Sequence, residues 1–558
     1  MFIDARTLPE DTAIESEICI IGAGPAGMTL AREFIGQDFR VCLLESGGTE
    51  PDEDTQSLCK GEINGELPQD LSKSRCRQFS GAANFWSDHT GKNYYSVRLL
   101  PLDKIDFEKR DWLPYSGWPF EKSHLDPFYA RAQHLCQIRP FAYDAEDWED
   151  DWNPRLPFIG NQIKTTVYQF GPRDVFTQEL RSEINRATNI TTYLNSNVVE
   201  IETNNPARTV TRVRVACLQG NQFWVTAKVF ILATGGIENA RLLLGSNQTQ
   251  NVGLGNQNDL VGRFFMEHPV FRLGVFRPTN RQIFNSAGLY DLRWVNDTLV
   301  MGKLTLSEEA MRHRQLLNSS MILVPRPKVY ESEAVKSFRT LYSSIRHAKV
   351  PKDAFEHLNN AISSIDDIAT YIYRRAFKLK KFPYSLKQGG WSRLSNNHRR
   401  FSSFSVWTAT EQAPNPDIRI MLSDDCDRLG LRKVQPIHWS WHDLELQNHM
   451  QVQQILKEEI ARAGLGQFQS WIELTGEAKP KCHGGDHHMG TTRMHSDPKQ
   501  GVVDENCRVH GISNLFIAGS SVFPTGGYAN PTLTIVALAF RLADNVKKVM
   551  ATNAIALK

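Results

Sequence analysis

Two unbroken apolar runs, Ile18-Cys19-Ile20-Ile21 and Val41-Cys42-Leu43-Leu44, predict strands buried on both faces of a parallel sheet. Between them Met28, Leu30, Ala31, Phe34 and Ile35 recur on one face, which predicts an amphipathic helix. Further strands are predicted over residues 197–201, 210–215, 223–232 and 514–518. Residues 515–540 carry no charged side chain and are long enough to cross a bilayer. Gly519, Pro524, Gly526, Gly527, Asn530 and Pro531 would break a lipid-exposed helix there. The segment therefore reads as a buried strand, a loop and a helix running to about Val549, with Asn530 as N-cap and Pro531 at the first helical position.

Composition narrows the class. Of 558 residues, 41% are hydrophobic and 23% charged, an ordinary globular balance that excludes a largely disordered chain. Lys plus Arg is 64 and Asp plus Glu is 62, so a net charge of +2 excludes a nucleic-acid binder driven by bulk charge. The nine cysteines form no CxxC pair, which predicts reduced thiols and a cytoplasmic protein. Residues 1–11 have no apolar core of the kind a secretory signal needs, so none is expected.

The chemistry begins at Gly22-Ala23-Gly24-Pro25-Ala26-Gly27, set between the first strand and the helix. Gly22 permits the tight turn, Gly24 lets backbone approach a pyrophosphate, and Gly27 lets helix and strand pack closely. The helix N-terminus offers free N–H groups to phosphates. Glu45 ends the second strand 21 residues after Gly24, where an acid accepts from ribose hydroxyls. This is a dinucleotide fingerprint, and alone it does not choose between dinucleotides. A second cluster is His483-Gly484-Gly485-Asp486-His487-His488-Met489-Gly490-Thr491-Thr492-Arg493-Met494. It lacks HExxH and its glycines predict a loop, so no metal site is expected. A structural histidine is one reading. A general base over the cofactor is the preferred one, because imidazole titrates near neutrality. Neighbours in extended chain point opposite ways, so only one of His487 and His488 should face a ligand, and physics alone leaves either open.

These residues together resemble the glucose–methanol–choline (GMC) oxidoreductases. The likeness rests on GAGPAG with LLESGG, on Ile231-Leu232-Ala233-Thr234-Gly235-Gly236-Ile237-Glu238-Asn239, and on HHMGTTRM with NLFIAGSSVFPTGGYANPTLT. Asp106–Arg110, Ser116–Pro119 and Val261–Pro269 add to it, and the pattern is most similar to the pyranose-oxidase-like and sugar-dehydrogenase branch. The resemblance implies FAD and an α/β fold. A Rossmann-like FAD domain (10–79, 191–270 and 476–552) would interleave with an α+β substrate domain (80–190 and 271–475). It implies His487 as catalytic base and Asn530 as its partner, with His483 and His495 as loop or surface residues. Cofactor contacts would come from Gly22, Gly24, Pro25, Ala26, Gly27, Glu45 and Ser46. Others would come from Gly81, Ala82, Asn84, Val198, Ala233, Gly235, Gly519, Ser520, Asn530, Pro531 and Thr532. The helix starting there would place its positive end at the negative charge a reduced flavin bears. Two departures stand out. Phe85 fills the slot of the covalently flavinylated histidine, so FAD should be non-covalent, and Ser80 replaces a glycine.

The reaction implied is oxidation of a CH–OH group of a sugar, glycoside or polyol by hydride transfer to flavin N5. The electrons would pass to oxygen, a quinone or a dye-like acceptor, with a dehydrogenase slightly favoured over an oxidase. A non-sugar alcohol (a lipid or natural-product intermediate) is the alternative, and a non-catalytic flavoprotein partner a third reading. Residues 331–400 form an insert whose run Tyr371–Phe382 is basic and apolar. It reads first as a solvated helix packing Ile372, Phe377 and Leu379 on the domain, and second as a weak contact for a membrane surface or an acidic partner. It is also a candidate lid.

Overall fold

Buried apolar runs build the centre of the molecule. The computed structural model describes residues 1–86, 88–89, 95–330, 332–347, 350–376, 389–476 and 479–552. The chain has an α/β fold. Ile18–Ile21 and Val41–Leu44 are fully buried and pair in parallel in a six-stranded sheet. Its spatial order is Phe2–Asp4, Ile190–Leu194, Val41–Leu44, Ile18–Ile21, Val229–Leu232, Leu515–Ile517, every pair parallel. The helix Pro25–Glu33 lies against this sheet, and the helix Thr532–Thr552 packs on Pro25–Glu33 and on Lys122–Leu135. Phe2–Asp4 adds an edge strand ahead of residue 10, where the sequence shows no alternating pattern long enough to announce one.

The predicted strand over 223–232 is two strands. Gln222–Thr226 joins a four-stranded sheet with Asn197–Thr203, Val210–Ala216 and Thr12–Glu15, while Val229–Leu232 belongs to the parallel sheet. Ala227 and Lys228 carry the chain from one sheet to the other. A ten-stranded sheet forms the second large layer, built around the long antiparallel strands Ile163–Pro172, Pro269–Pro278, Thr298–Leu306, Ser319–Pro327 and Phe401–Thr410. The helix Asp443–Arg462 covers part of it.

Residues 515–540 are a buried strand, loop and helix, as the breakers demand. Among the described residues no helix is long and apolar enough to cross a membrane. The insert forms the helices Glu333–Arg346, Ala354–Ser363 and Ile365–Ala376. They pack through a small core of Ala334, Val335, Ile368 and Tyr371 that is separate from the main one. Ile372 does not pack inward as expected. It is 44% exposed, because Ile368 and Tyr371 three residues apart take the inner face. Phe377 and Leu379 lie outside the described residues.

One buried ion pair ties the loop after the helix Lys104–Phe107 to the end of the long strand Phe401–Thr410. Arg110 meets Glu411 in a bidentate pair at 2.8 and 2.5 Å, with both side chains fully buried, and Glu411 also accepts from the Asn318 backbone N–H at 3.0 Å. Replacing Arg110 with methionine leaves that carboxylate uncompensated. Urea unfolding of Arg110→Met should show a loss of about 3–5 kcal/mol, and an unchanged midpoint would show that the pair carries no stability.

Candidate active site

Between the parallel sheet and the face of the long antiparallel one lies a cavity of about 540 Å³. Gly22 has φ +102°, and a Cβ there would sit 2.6 Å from the Ala233 carbonyl oxygen. A Cβ on Gly27 would come within 1.9 Å of the Gly22 carbonyl oxygen, so helix and strand touch there. A Cβ on Gly24 would meet nothing within 4 Å, and Gly24 lines the cavity. The three glycines thus take the turn, the open wall and the close packing in the expected order.

Of the other sequence-predicted contacts, Pro25, Ala26, Glu45, Ser46, Gly81, Ala82, Val198, Ala233, Gly235, Gly519, Ser520, Asn530, Pro531 and Thr532 all line this cavity. Gly27 and Asn84 do not. Gly27 is sealed beneath the turn, and Asn84 spends its amide on the carbonyls of Phe79 and Gly81, bracing the loop from behind. Ser80 takes the left-handed region (φ +80°) in place of glycine, and its hydroxyl donates to the Phe176 carbonyl. Phe85 lines the cavity. Glu45 is buried, accepting from the backbone N–H of Ala23 at 2.8 Å and of Gly47 at 2.9 Å. Burial pushes its carboxyl up while those donors pull it back. Oε1 also accepts from the Ser46 hydroxyl at 3.3 Å, and Oε2 keeps a further lone pair for a ligand hydroxyl.

His487 and Asn530 come together. The Asn530 amide Nδ2 lies 3.1 Å from His487 Nε2. An amide N–H only donates, so His487 Nε2 must carry the lone pair and Nδ1 the proton. His487 Nδ1 then donates to His268 Nδ1 at 2.9 Å. Asn530 is therefore not the N-cap of the Thr532–Thr552 helix, since its side chain is turned to the imidazole, and Ile535 N–H is received by the Pro531 carbonyl. His488 points the other way, toward Ser74 and the ring of Phe265, with its carbonyl held by the Ser520 hydroxyl at 2.7 Å. Both histidines nevertheless line the cavity, so alternation does not leave only one of them facing it. His483 is no bystander, because it also lines the cavity.

Glu267 and His268 were missed by the sequence reading as site residues. Glu267 is fully buried, and its Oε1 accepts from the backbone N–H of His268 (2.8 Å), His487 (2.8 Å) and Gly485 (3.2 Å). One carboxyl oxygen thereby fixes both histidine-bearing segments. Burial pushes the Glu267 carboxyl up to about 8 against these donors. Burial likewise holds His268 at about 4 and His488 at about 3, and His487 well below its usual value, with His268 and Arg98 adding to the effect. Imidazoles stay neutral here. A signal existed, since Glu-His-Pro lies inside a motif already singled out, but nothing in the sequence places it against residue 487.

The loop carrying Asn530 is pinned from below. Thr525 donates to the Asp106 carbonyl at 2.6 Å and accepts from Trp118 Nε1 at 3.0 Å. A Cβ on Gly527 would strike the Asp106 carboxyl. Lys303 is buried, donates to the Tyr528 hydroxyl at 2.9 Å, and is pushed by burial down to about 7. Across the cavity Arg75, Arg77 and Arg241 surround Glu238 at 2.5, 2.9 and 3.3 Å. Burial opposes ionisation of Glu238, but the three guanidiniums overcome it and hold its carboxyl below the usual range. Arg77 Nε is buried without a partner, a donor left over on the wall. An open glycine turn, a buried acid beyond it and surplus cationic donors fit an anionic dinucleotide. Among the described residues no group of three or more His, Cys, Asp or Glu is placed to hold a metal ion.

The chain resembles known proteins in sequence and shape. It is 26% identical over 326 residues to the fructose dehydrogenase large subunit of Gluconobacter japonicus, covering 58% of this chain and 47% of the relative. It is 32% identical over 141 residues to paromamine 6'-oxidase of Streptomyces fradiae, 25% of each chain. The matched region thus spans less than half the length of these relatives. Formate oxidase of Aspergillus oryzae superposes over 97% of this chain and 99% of its own, with a TM-score of 0.51 and 15% identity, a likeness of fold. Residues 414–539 match the family model described as GMC oxidoreductase.

Proposed function

We propose that this protein is an FAD-dependent oxidoreductase that oxidises a CH–OH group of a sugar, glycoside or related polyol, with His487 as general base. The observation that carries the reading is the 3.1 Å pairing of His487 Nε2 with the Asn530 amide on the cavity wall. The relatives are named as a fructose dehydrogenase and a paromamine 6'-oxidase, which supports the substrate class. FAD would be held non-covalently by the glycine turn, Glu45 and the segment 519–532, on the division into interleaved domains expected from sequence. Bound FAD would supply an acceptor at N5 for the hydride leaving the carbinol carbon.

This chain's own residues prepare the alcohol. A hydroxyl oxygen entering between them, about 2.9 Å from both Nε2 and Nδ2, would replace the direct Asn530–His487 hydrogen bond, donating its proton to the imidazole and accepting from the amide. An alcohol is a poor hydride donor and an alkoxide a good one. Transfer of the proton to Nε2 therefore lowers the barrier, and Asn530 steadies the charge that builds on oxygen. The Nδ1–H···Nδ1 contact with His268 fixes the required tautomer and ring orientation. Enclosure keeps the imidazole unprotonated, hence ready as a base, far below pH 6.5.

A second reading, a lipid-like alcohol taken at a membrane surface, is favoured by the insert. Tyr342, Ile345, Phe355, Leu358, Ile362 and Ile365 are all more than half exposed. Residues 368–400 contain nine Lys or Arg and no Asp or Glu. Apolar side chains near a sequence run rich in positive charge suit an anionic bilayer.

His487→Ala should fold and retain flavin but reduce it anaerobically about 10²–10⁴-fold more slowly with a sugar substrate; near-normal reduction would move the role to His488 or water. In the wild type the reductive rate should hold level from pH 8 to below pH 6.5, because the base is already deprotonated there. A fall centred on 6.5 would show an unperturbed imidazole. The protein should co-sediment with phosphatidylglycerol vesicles and be released by salt, and absence of binding at low salt would remove the membrane reading.

A further inference from the structure

A second cavity of about 220 Å³ opens beside the first, lined by Arg272, Trp407, Trp471, Ile472, Pro480, Lys481 and His483. His483 lines both. The sheet explains why they adjoin. Val270 pairs with Ala409 and lines the main cavity, and Arg272 pairs with Trp407 two residues further along the same strands. Residues two apart share a face and lie about 7 Å apart, so one sheet face runs from His268 outward into the second cavity.

Arg272 is unusual among the arginines here. Its guanidinium lies 4.4 Å from the ring centre of Trp471 and 5.1 Å from that of Trp407. Its Nε is buried and has no hydrogen-bond partner, and none of its N–H groups makes a hydrogen bond or ion pair among the described residues. Among the described residues no Asp or Glu lines the cavity. Arg326 and Arg339 stand close enough to oppose its charge further, alongside burial. An arginine lying over two indoles, whose N–H groups find no partner among the described residues, is placed to take an oxyanion. Stacking fixes the plane of the fork, so the edge is presented for a bidentate oxyanion.

We propose that this cavity is a substrate subsite for an oxyanion, the carboxylate of a uronate or the phosphate of a sugar phosphate, which Arg272 grips while the carbinol lies at His487 and Asn530. The placement of the carbinol rests on the oxidoreductase reading above; the anion site itself does not. Arg272 is thus a specificity residue outside the reacting centre, and Trp407 and Trp471 serve as its platform.

Calorimetry on the flavin-loaded protein separates the possibilities, using phenyl β-D-glucuronide, phenyl β-D-glucoside and glucose 6-phosphate as probes. At least one acidic probe should bind tenfold or more tightly than the glucoside, and which one does so identifies carboxylate or phosphate as the group. Arg272→Gln should abolish that preference and leave glucoside affinity within twofold. Arg272→Lys, which keeps charge but loses the fork, should recover only part of it. Equal affinity for all three probes, or a preference untouched in Arg272→Gln, would overturn the proposal. If Arg272-dependent binding persists in a protein whose flavin no tested alcohol reduces, the subsite stands and the oxidation reading falls.

Discussion

The site depends on one contact between two loops, the amide of Asn530 against the imidazole of His487. Neither loop holds its shape alone. The histidine segment is fixed by a single Glu267 oxygen that gathers three backbone N–H groups, two of them from residues 485 and 487. The asparagine segment rests, through Thr525, on Asp106 and Trp118, which lie more than 400 positions earlier in the chain. A shift of either loop by an ångström would separate the pair, since a hydrogen bond weakens steeply beyond its normal range.

Burial sets the electrostatics around that contact. Three imidazoles, a carboxyl and an ammonium are enclosed with few counter-charges, and each is driven toward its neutral form. Neutrality has a chemical consequence. A neutral His487 with its proton fixed on Nδ1 offers a lone pair at Nε2, which is what removal of a hydroxyl proton requires. The arginine-rich wall opposite works in the other direction, keeping Glu238 ionised and retaining a spare donor. One cavity therefore has a neutral end and a charged end, as a ligand with an apolar ring system and a phosphate bridge would need.

The glycine turn was legible because backbone geometry alone dictates it. Gly22, Gly24 and Gly27 each do locally what their spacing demands. The pairing of His487 with Asn530 was legible only through family resemblance, as no local rule joins positions 43 apart in different loops. Glu267, His268 and Lys303 escaped because their roles arise from long-range packing that periodicity does not encode. The break at Ala227 and Lys228 escaped because an apolar run reads the same whether it stays in one sheet or crosses to another. The outward turn of Ile372 had a related cause: the sequence marks an amphipathic helix, and the neighbouring helix decides which face is inner.

The most direct test of the shared role of His487 and Asn530 is a double-mutant cycle on anaerobic flavin reduction, comparing His487→Ala, Asn530→Ala and the double variant. If both groups hold one hydroxyl, the losses will fall short of additive by more than about 1 kcal/mol, because the second substitution removes an interaction already broken. Strictly additive losses would show that the two side chains act on different atoms and would contradict the account.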